Sequence, residues 1–206
     1  MDSPCVPKAT LGRLPEYLRY LKTISGEYET VSSTAIAKAM GLGEVQVRKD
    51  LAAVSGKGRP KIGYNKSELE EQLEKCLGQK NRRKVVLVGA GKLGSTLLGY
   101  EGFNEYGLSI VAAFDISVHK KTSTDNQKPI YPLEYLESYC TENNIKIGII
   151  AVPKSAAQMV CDMLTSSGIT SVWSFAQATL KVPEGVNLRR ENLALSLAHI
   201  SQKETN

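Results

Sequence analysis

Hydrophobic residues recur at intervals of three and four through the first 80 residues, which is the spacing of amphipathic helices. In the third such segment Val47, Leu51 and Val54 are expected to face the core, and this leaves the basic residues between them on the other faces. Glycine, serine and threonine between the segments supply turns and N-caps. The pattern predicts helices over residues 11–24, 35–40, 44–54 and 67–77.

From residue 85 onward, short apolar runs alternate with amphipathic stretches. The run 145–152 is almost continuously apolar, as expected of a strand in a sheet that is covered on both faces. Such alternation predicts an α/β fold with a parallel sheet. The predicted strands cover residues 85–88, 110–115, 145–152 and 169–175, and helices are predicted from residue 92, over 132–143 and over 156–166.

A glycine-rich turn joins the first of these strands to its helix. Gly89 permits a tight turn, Gly91 lets backbone N–H groups come close to a pyrophosphate, and Gly94 lets the helix pack on the strand. The positive end of a helix that begins near Lys92 would then face the pyrophosphate. This pattern is typical of a Rossmann dinucleotide-binding domain.

A carboxylate ends the second strand of the motif. Asp115 lies 21 residues after Gly94, where an acid accepts hydrogen bonds from the ribose hydroxyls of an adenosine. An acid there repels a 2′-phosphate, so the favoured cofactors are NADH and NAD. The ends of later strands are expected to face the same crevice. The candidate cofactor-binding residues are Gly89, Ala90, Gly91, Lys92, Leu93, Gly94, Asp115, Val152, Pro153 and Phe175.

A short helix, a glycine turn and a basic helix follow one another before residue 55, which is the order of a helix-turn-helix unit. Gln46, Arg48 and Lys49 on the basic helix are candidates for contacts to base edges or phosphates, and the sequence does not separate these two roles.

The glycine-rich basic loop 55–64 is typical of the wing of a winged helix. Arg59 is its candidate for a narrow minor groove, where negative potential is concentrated. Lys57 and Lys61 place further positive charge on the same loop.

Charge is divided unevenly along the chain. Residues 1–84 carry 16 Lys and Arg against 10 Asp and Glu, a net charge of +6, whereas residues 85–206 carry 10 against 11, a net charge of −1. The basic half is the half without the nucleotide motif, and its charge suits a polyanion such as double-stranded DNA. The alternative is that these basic residues form a solvated surface that binds no polyanion.

The 206 residues are 42% hydrophobic and 23% charged, which leaves room for one or two globular domains. No stretch has the length and apolarity of a membrane span, and no basic leader precedes an apolar run, so we expect a cytoplasmic protein without a membrane partner. Four scattered cysteines and two histidines lack the spacing of a metal site. Reduced thiols and no bound metal are expected.

Two classes of function fit a nicotinamide-nucleotide motif in so short a chain. A dehydrogenase needs a substrate domain and an acid or base beside the transferred hydride. The two histidines that could serve as that acid or base, His119 and His199, are instead expected at the surface or at an interface. A nucleotide that acts as a signal needs only unequal affinities of two protein shapes for NADH and DNA. We therefore predict a regulator and not an enzyme; the alternatives are a small NAD-dependent oxidoreductase and a winged-helix repressor with a vestigial nucleotide site.

These motifs resemble those of the bacterial Rex family of redox-sensing transcriptional repressors. The resemblance implies a homodimer in which an N-terminal winged helix binds operator DNA, a C-terminal Rossmann domain binds NADH or NAD, and NADH releases the DNA. It adds Tyr100 to the cofactor-binding residues, and Ser33 and Tyr64 to the DNA-binding residues. The matching segments are Pro7–Thr10, Arg13–Leu21, Val31–Ser33, Val47–Leu51, Gly63–Asn65, Gly89–Gly94, Ala151–Pro153, Ala156–Gln158 and Val182–Pro183.

Two segments depart from the family pattern. Relatives usually carry two aromatic residues at the base of the wing, where this chain has Ala53 and Val54. Relatives also usually carry an aspartate at the start of the last helix, which partners an arginine and a tyrosine when the cofactor changes. Asn192 or Ala194 occupies that position here, and Glu191 is the nearest acid. The sequence therefore leaves the strength and direction of the NADH response open.

The last segment is more apolar than a monomer would leave in water, and a second copy of the chain would cover it. Its apolar residues are Leu188, Leu193, Leu195, Leu197 and Ile200. The predicted organisation is a winged-helix domain over residues 1–80, a Rossmann domain over 84–186, and a dimerisation helix over 187–206 that the resemblance implies is exchanged between subunits.

Overall fold

The structure is a computed structural model that describes residues 6–24, 29–120, 122–123 and 128–203. These residues belong to two units. The first unit ends at Arg82 and also holds Gly102–Leu108, whereas the second holds Arg83–Glu101 and the chain from Ser109 onward. The sequence places Gly102–Leu108 within the Rossmann domain, but the structure groups this segment with the first unit.

The first unit consists of short helices and one antiparallel ribbon in the part of the chain that the structure describes. In the ribbon, Val31 lies opposite Tyr64. The elements are α1 (Lys8–Leu11), α2 (Leu14–Thr23), β1 (Thr30–Val31), α3 (Ser33–Met40), α4 (Glu44–Ser55), β2 (Tyr64–Asn65) and α5 (Lys66–Cys76).

The helix predicted over residues 11–24 is found as α2, but it begins three residues later, at Leu14, because Leu11 ends the preceding helix α1. Pro15 cannot donate a backbone hydrogen bond, and its ring would clash with the preceding turn inside a continuous helix. The chain therefore begins a new helix, with Pro15 in the first turn of α2. The other three predicted helices are found within two residues of their expected ends.

Local capping explains where α3 begins and ends. Ser32 accepts the backbone N–H of Ala35 at 3.0 Å, which satisfies one of the unpaired donors of the first turn. Gly41 ends the helix at a φ of +64°, a conformation that favours glycine.

The helices of the first unit meet in one hydrophobic core. Val47 and Leu51 are buried there as predicted, whereas Val54 is only partly buried. Because these residues share one face of α4, the opposite face of that helix is left to solvent. The other large side chains of this core are Leu14, Tyr17, Leu18, Leu21, Ile36, Leu69 and Leu73.

A buried carboxylate lies within this core. Asp50 on α4 is 2% exposed, and Arg13 donates to it from Nε at 2.7 Å and from Nη2 at 2.9 Å. The hydroxyls of Thr10 and Tyr17 donate at 2.8 Å and 2.9 Å, and Gln46 Nε2 donates at 3.0 Å. Asp50 thus links α4 to α1, to α2 and to the turn between them.

These hydrogen bonds keep Asp50 ionised. Burial raises the pKa of its carboxyl, but the hydrogen bonds from Arg13, Thr10, Tyr17 and Gln46 outweigh burial and hold the pKa below its usual value. The hydrogen bond to Asp50 raises the pKa of Arg13 in turn, and burial together with Asp50 raises the pKa of Tyr17 to about 12.

The second unit is built on a mostly parallel sheet of seven strands among the described residues, with helices between them. Its elements are β3 (Arg83–Val88), α6 (Lys92–Gly99), β4 (Leu108–Asp115), β5 (Thr122–Ser123), β6 (Pro129–Pro132), α7 (Leu136–Glu142), β7 (Ile147–Ile150), α8 (Ala157–Ser166), β8 (Ser171–Ser174), β9 (Asn187–Arg190) and α9 (Leu193–Lys203). The strand order is β5-β6-β4-β3-β7-β8-β9. Without the antiparallel β5, this is the order 3-2-1-4-5-6 of a Rossmann sheet.

Three sequence expectations need correction in this unit. Asn187–Arg190 is not part of the terminal helix, because it pairs in parallel with β8 as the last strand of the sheet. Strands β5 and β6 were not predicted, and the helix expected over 132–143 is shorter, since Pro132 ends β6, Leu133–Tyr135 forms a 3-10 turn and α7 begins at Leu136. Strand β3, expected over residues 85–88, begins two residues earlier, at Arg83.

We predict that Asp50→Ala destabilises the protein by about 3–5 kcal/mol, because it leaves the partly buried Arg13 and the buried hydroxyls of Thr10 and Tyr17 without their shared acceptor. Urea-induced unfolding followed by circular dichroism measures this change. Glu71→Ala is the matched control, since it removes an exposed ion pair with Lys80 and should leave the unfolding midpoint nearly unchanged. A similar small effect of both substitutions would contradict the prediction.

The ionisation of Asp50 should also make the free energy of unfolding depend on pH. Folding lowers the pKa of Asp50, so the unfolded chain binds this proton first as the pH falls. The stability that Asp50 contributes is therefore complete above the unfolded pKa of about 4 and is lost as the pH falls through the folded pKa. The difference in unfolding free energy between wild type and Asp50→Asn should shrink below about pH 4.

Candidate functional site

The carboxyl ends of β3 and β7 lie side by side at the centre of the second unit's sheet. Val88 is opposite Ile150, and the Ala151 N–H donates to the Val88 carbonyl at 2.8 Å. The chain order of the sheet reverses at this pair of strands, and sheets of this kind bind ligands outside the strand ends at that point. The predicted glycine turn begins there.

Two glycines of the turn are required by the packing of the protein itself. Gly89 has a φ of +101°, and a Cβ on it would lie 2.6 Å from the carbonyl oxygen of Ala151. A Cβ on Gly94 would collide with the carbonyl oxygen of Gly89. Gly94 therefore lets α6 pack directly on the turn, as the sequence predicts.

Gly91 differs from its neighbours. It is the N-cap of α6, its φ of −66° is open to any residue, and no described atom lies within 4 Å of the position a Cβ would take. The packing of the described chain therefore does not require glycine at this position. Because the residue is glycine, the space beside the N-terminus of α6 stays open, whereas a side chain would fill it. We call this open space the Gly91 cradle.

A cavity of about 220 Å³ opens beside this turn. Five of the predicted cofactor-binding residues line it, which are Gly89, Gly91, Asp115, Val152 and Pro153. The other apolar residues of its lining were not predicted, although they lie at the end of a strand, just after one, or on the helix beside it. The missed residues include Phe114, Ile116, Leu133, Ala156, Met159 and Val160.

Asp115 holds the glycine turn in place from the end of β4. Its Oδ2 accepts the Ala90 N–H at 2.6 Å, and its Oδ1 accepts both the backbone N–H and the hydroxyl of Ser117, at 2.8 Å and 2.6 Å. Burial raises the pKa of this carboxyl, but the hydrogen bonds from Ser117 and Ala90 outweigh burial and lower it. An ionised carboxylate thus faces the cavity.

Other predicted cofactor residues lie outside the cavity lining. Phe175 is half-buried and packs on Trp173 with ring centroids 4.4 Å apart, and its N–H donates to the Ile150 carbonyl. Tyr100 lies at the opposite end of α6 from Lys92, about 12 Å along a helix that rises 1.5 Å per residue. Lys92 and Leu93 lie exposed on the first turn of α6, and the cofactor-binding roles of these residues, like those of the cavity residues, stay predictions.

In the first unit, a groove of about 600 Å³ lies between α3, α4 and the loop that follows α4. Seven of the eight predicted DNA-binding residues line it, and Gln46 is the exception. Five of these are cations, and none of the residues that line the groove is acidic. The lining residues from the prediction are Ser33, Arg48, Lys49, Lys57, Arg59, Lys61 and Tyr64.

The predicted wing is a tight turn. Arg59 and Gly63 exchange backbone hydrogen bonds of 2.8 Å and 2.9 Å, and Lys61 at the tip has a φ of +63°. Both Arg59 and Lys61 are exposed. Tyr64, in contrast, is 8% exposed and packs in the hydrophobic core beneath the turn, so it supports the wing from below.

The terminal helix α9 leaves an apolar surface uncovered. Leu193, Leu195, Leu197 and Ile200 are each more than half exposed. Asn192 accepts the Leu195 N–H at 3.0 Å, which places this residue at the N-cap of the helix.

No helix among the described residues is long and apolar enough to cross a membrane, and these residues contain no group of three His, Cys, Asp or Glu side chains suited to hold a metal ion. Cys76, Cys140 and Cys161 are unpaired thiols, and burial raises the pKa of each, that of Cys140 to about 11. Cys5 lies outside the described residues.

Two family models match the chain. Residues 5–52 match a model described as a putative DNA-binding protein N-terminus, and residues 80–178 match a CoA binding domain. The first range ends inside α4 and includes Asp50, and the second holds the glycine turn and the cavity beside it.

Solved structures with this fold include a Rex-family repressor called RSP. A crystal structure of RSP with β-NAD+ and operator DNA is 33% identical to this chain, with a TM-score of 0.79 over 96% of this chain and 92% of that one. A structure of RSP with β-NADH is 32% identical, with a TM-score of 0.70 over 97% and 94%.

Curated relatives cover nearly the whole chain. The redox-sensing transcriptional repressor Rex of Carboxydothermus hydrogenoformans is 42% identical over 93% of this chain and 93% of its own length. That of Syntrophomonas wolfei is 41% identical over 95% of this chain and 94% of its own length. At this identity the chain belongs to the Rex family of redox-sensing transcriptional repressors.

Proposed function

We propose that this protein represses transcription by binding operator DNA as a homodimer, and that NADH releases it, so that gene expression follows the ratio of NADH to NAD. The observation that carries the proposal is the presence, in one chain, of a cationic groove on a helix-turn-helix unit and the Gly91 cradle at a Rossmann switch point. The relatives named above are redox-sensing repressors, and RSP has been solved with both nucleotides and with operator DNA.

The second unit would hold the nucleotide. The open space at Gly91 and the N-terminus of α6 suit a pyrophosphate, and the ionised Asp115 suits ribose hydroxyls. Asp115 already accepts three hydrogen bonds, yet a carboxylate has about four lone-pair sites, so it can accept a ribose hydroxyl as well. The apolar side chains of Ile116, Leu133 and Met159 give a base a surface to pack on.

The first unit would hold the DNA. The N-terminal part of α4 would enter the major groove, with Arg48 and Lys49 beside it, while the exposed Arg59 and Lys61 of the wing lie against phosphates or the minor groove. Neutralisation of phosphates by these cations makes the affinity salt-dependent.

A second copy of the chain would cover the exposed leucines of α9. Paired recognition helices must match half-sites about one turn of DNA apart, so a modest rotation of the nucleotide domains in a dimer would spoil both contacts together. The nucleotide is a signal in this mechanism, and the protein is a repressor and not an enzyme, as the names of its relatives indicate. We propose the cytoplasm as its location, since bacterial operator DNA lies there.

The central test is an operator titration. A palindromic duplex, enriched with the protein itself from a randomised pool, should bind about 5–150-fold more weakly when NADH saturates the protein, which corresponds to a coupling of about 1–3 kcal/mol. Fluorescence anisotropy at constant salt measures this affinity, and NAD should have the smaller effect. Equal affinities with saturating NADH and saturating NAD would reject redox sensing and leave plain repression.

We predict that Gly91→Ala folds normally but binds NADH at least about tenfold more weakly, because its Cβ blocks backbone N–H groups from an anionic ligand, and such hydrogen bonds contribute about 1.5–3 kcal/mol. NADH fluorescence measures the affinity. Gly43→Ala is the matched control, since Gly43 is also a helix N-cap with an ordinary φ and open space around it. Unchanged NADH affinity in Gly91→Ala would show that no phosphate lies at this turn.

Dimerisation is tested at Leu197, which is 68% exposed on α9. Leu197→Glu should convert the dimer to monomers in analytical ultracentrifugation, because a charge would be buried in an apolar interface. Tyr135→Glu is the control, since Tyr135 is a similarly exposed apolar residue of the same unit outside α9. A dimer that survives Leu197→Glu would place the interface elsewhere.

A further inference from the structure

Gln46 is the one predicted DNA-binding residue that does not line the cationic groove, and the single hydrogen bond of its side chain among the described residues is to Asp50. Its Nε2 lies 3.0 Å from Asp50 Oδ1. The side chain is nevertheless exposed, and it belongs to the first turn of α4. Residues at this end of a recognition helix are the ones that meet base edges.

The contact with Asp50 decides which way the Gln46 amide is turned. An ionised carboxylate can only accept hydrogen bonds, so the amide must present its nitrogen to Asp50. The reversed amide would place Oε1 beside Oδ1, two acceptors that repel each other, and would lose the hydrogen bond. Asp50 itself is held by Arg13, Thr10 and Tyr17 and cannot easily turn away.

We infer that Gln46 reads the operator through Oε1, as a hydrogen-bond acceptor for the exocyclic amine of an adenine or a cytosine in the major groove. This inference rests on the proposed DNA binding of the first unit and deepens it. In the major groove, adenine N6 and cytosine N4 are the amine donors, whereas thymine O4 and guanine O6 are acceptors. The buried carboxylate thus sets the hydrogen-bonding character of an exposed side chain.

The geometry also separates Gln46 from its neighbours. Lys49 lies one turn further along the same helix face, and Lys49 and Arg48 have charged heads in the groove. Cations serve phosphates and guanine, whereas the neutral amide of Gln46 adds little to affinity that does not depend on sequence. Loss of Gln46 should therefore change base preference more than salt dependence.

The test begins with duplexes enriched from a randomised pool by full-length wild type and by Gln46→Met, which retains side-chain length without the amide. The variant should lose its preference at one base pair in each half-site and keep the rest. Gln158→Ala is the matched control, because Gln158 also donates Nε2 to a carboxylate one helical turn on, Asp162 at 2.7 Å, but lies in the second unit. This control should enrich the wild-type sequences.

Base analogues at that position then identify the contacting atom. Purine in place of adenine, or 2-pyrimidinone in place of cytosine, removes the amine, and wild type should lose about 2- to 12-fold in affinity, as expected for one hydrogen bond. Gln46→Met should lose nothing more. An analogue of the paired base that lacks its keto oxygen should leave the difference between wild type and Gln46→Met intact.

Three results would overturn the inference. If removal of the keto oxygen, and not of the amine, abolishes the difference between the two proteins, the amide acts as a donor. If Gln46→Met enriches the same duplexes with the same affinity, Gln46 reads no base, although operator binding stands. If wild type enriches no duplex at all, the proposed function fails together with this inference.

Discussion

One buried carboxylate organises the DNA-binding unit. Asp50 takes hydrogen bonds from residues 33, 37 and 40 positions earlier in the chain, so α1, α2 and α4 share one acceptor. Without Arg13, an ionised group that is 2% exposed would be strongly unfavourable, and without Asp50 the donors would lose their partner. The orientation of the recognition helix, and of the side chains it presents to DNA, depends on this cluster.

The nucleotide unit also depends on an ionised carboxylate that accepts several hydrogen bonds. Asp115 lies at a strand end and accepts backbone N–H groups from Ala90 in the glycine turn and from Ser117 just after the strand. It thereby holds the glycine turn against β4 in addition to any contact with a ribose. In each unit the protein keeps one acid ionised, and this acid positions the part of the chain that the proposed anionic ligand would contact. Repulsion between acid and ligand is avoided because the negative charge is spread over protein donors.

The parts of the structure that the sequence predicts are those with local causes. The motif of Gly89, Gly91 and Gly94 lies within six residues, and the helix-turn-helix has its caps and turn beside it. The role of Asp50 depends on partners more than thirty positions away, and no periodicity reveals them. Strand β9 was not predicted because it is an edge strand whose side chains, except that of Leu188, are polar and exposed. It therefore lacks the alternation of apolar and polar residues that marks a half-buried strand.

Chain connectivity limits how a nucleotide signal can travel. Helix α6 begins at the Gly91 cradle, and the chain that follows it, Gly102–Leu108, groups with the first unit. That segment is anchored there by Glu105, whose carboxylate pairs with Arg19 at 2.8 Å and whose carbonyl accepts from Gln79 at 2.8 Å, and by Tyr106 against the core. The exposed ion pair contributes little, so packing and the backbone bond supply most of the anchorage. Helix α6 and the DNA-binding unit are thus joined by continuous chain, and the proposed coupling of about 1–3 kcal/mol between nucleotide and DNA would have this covalent route between the units.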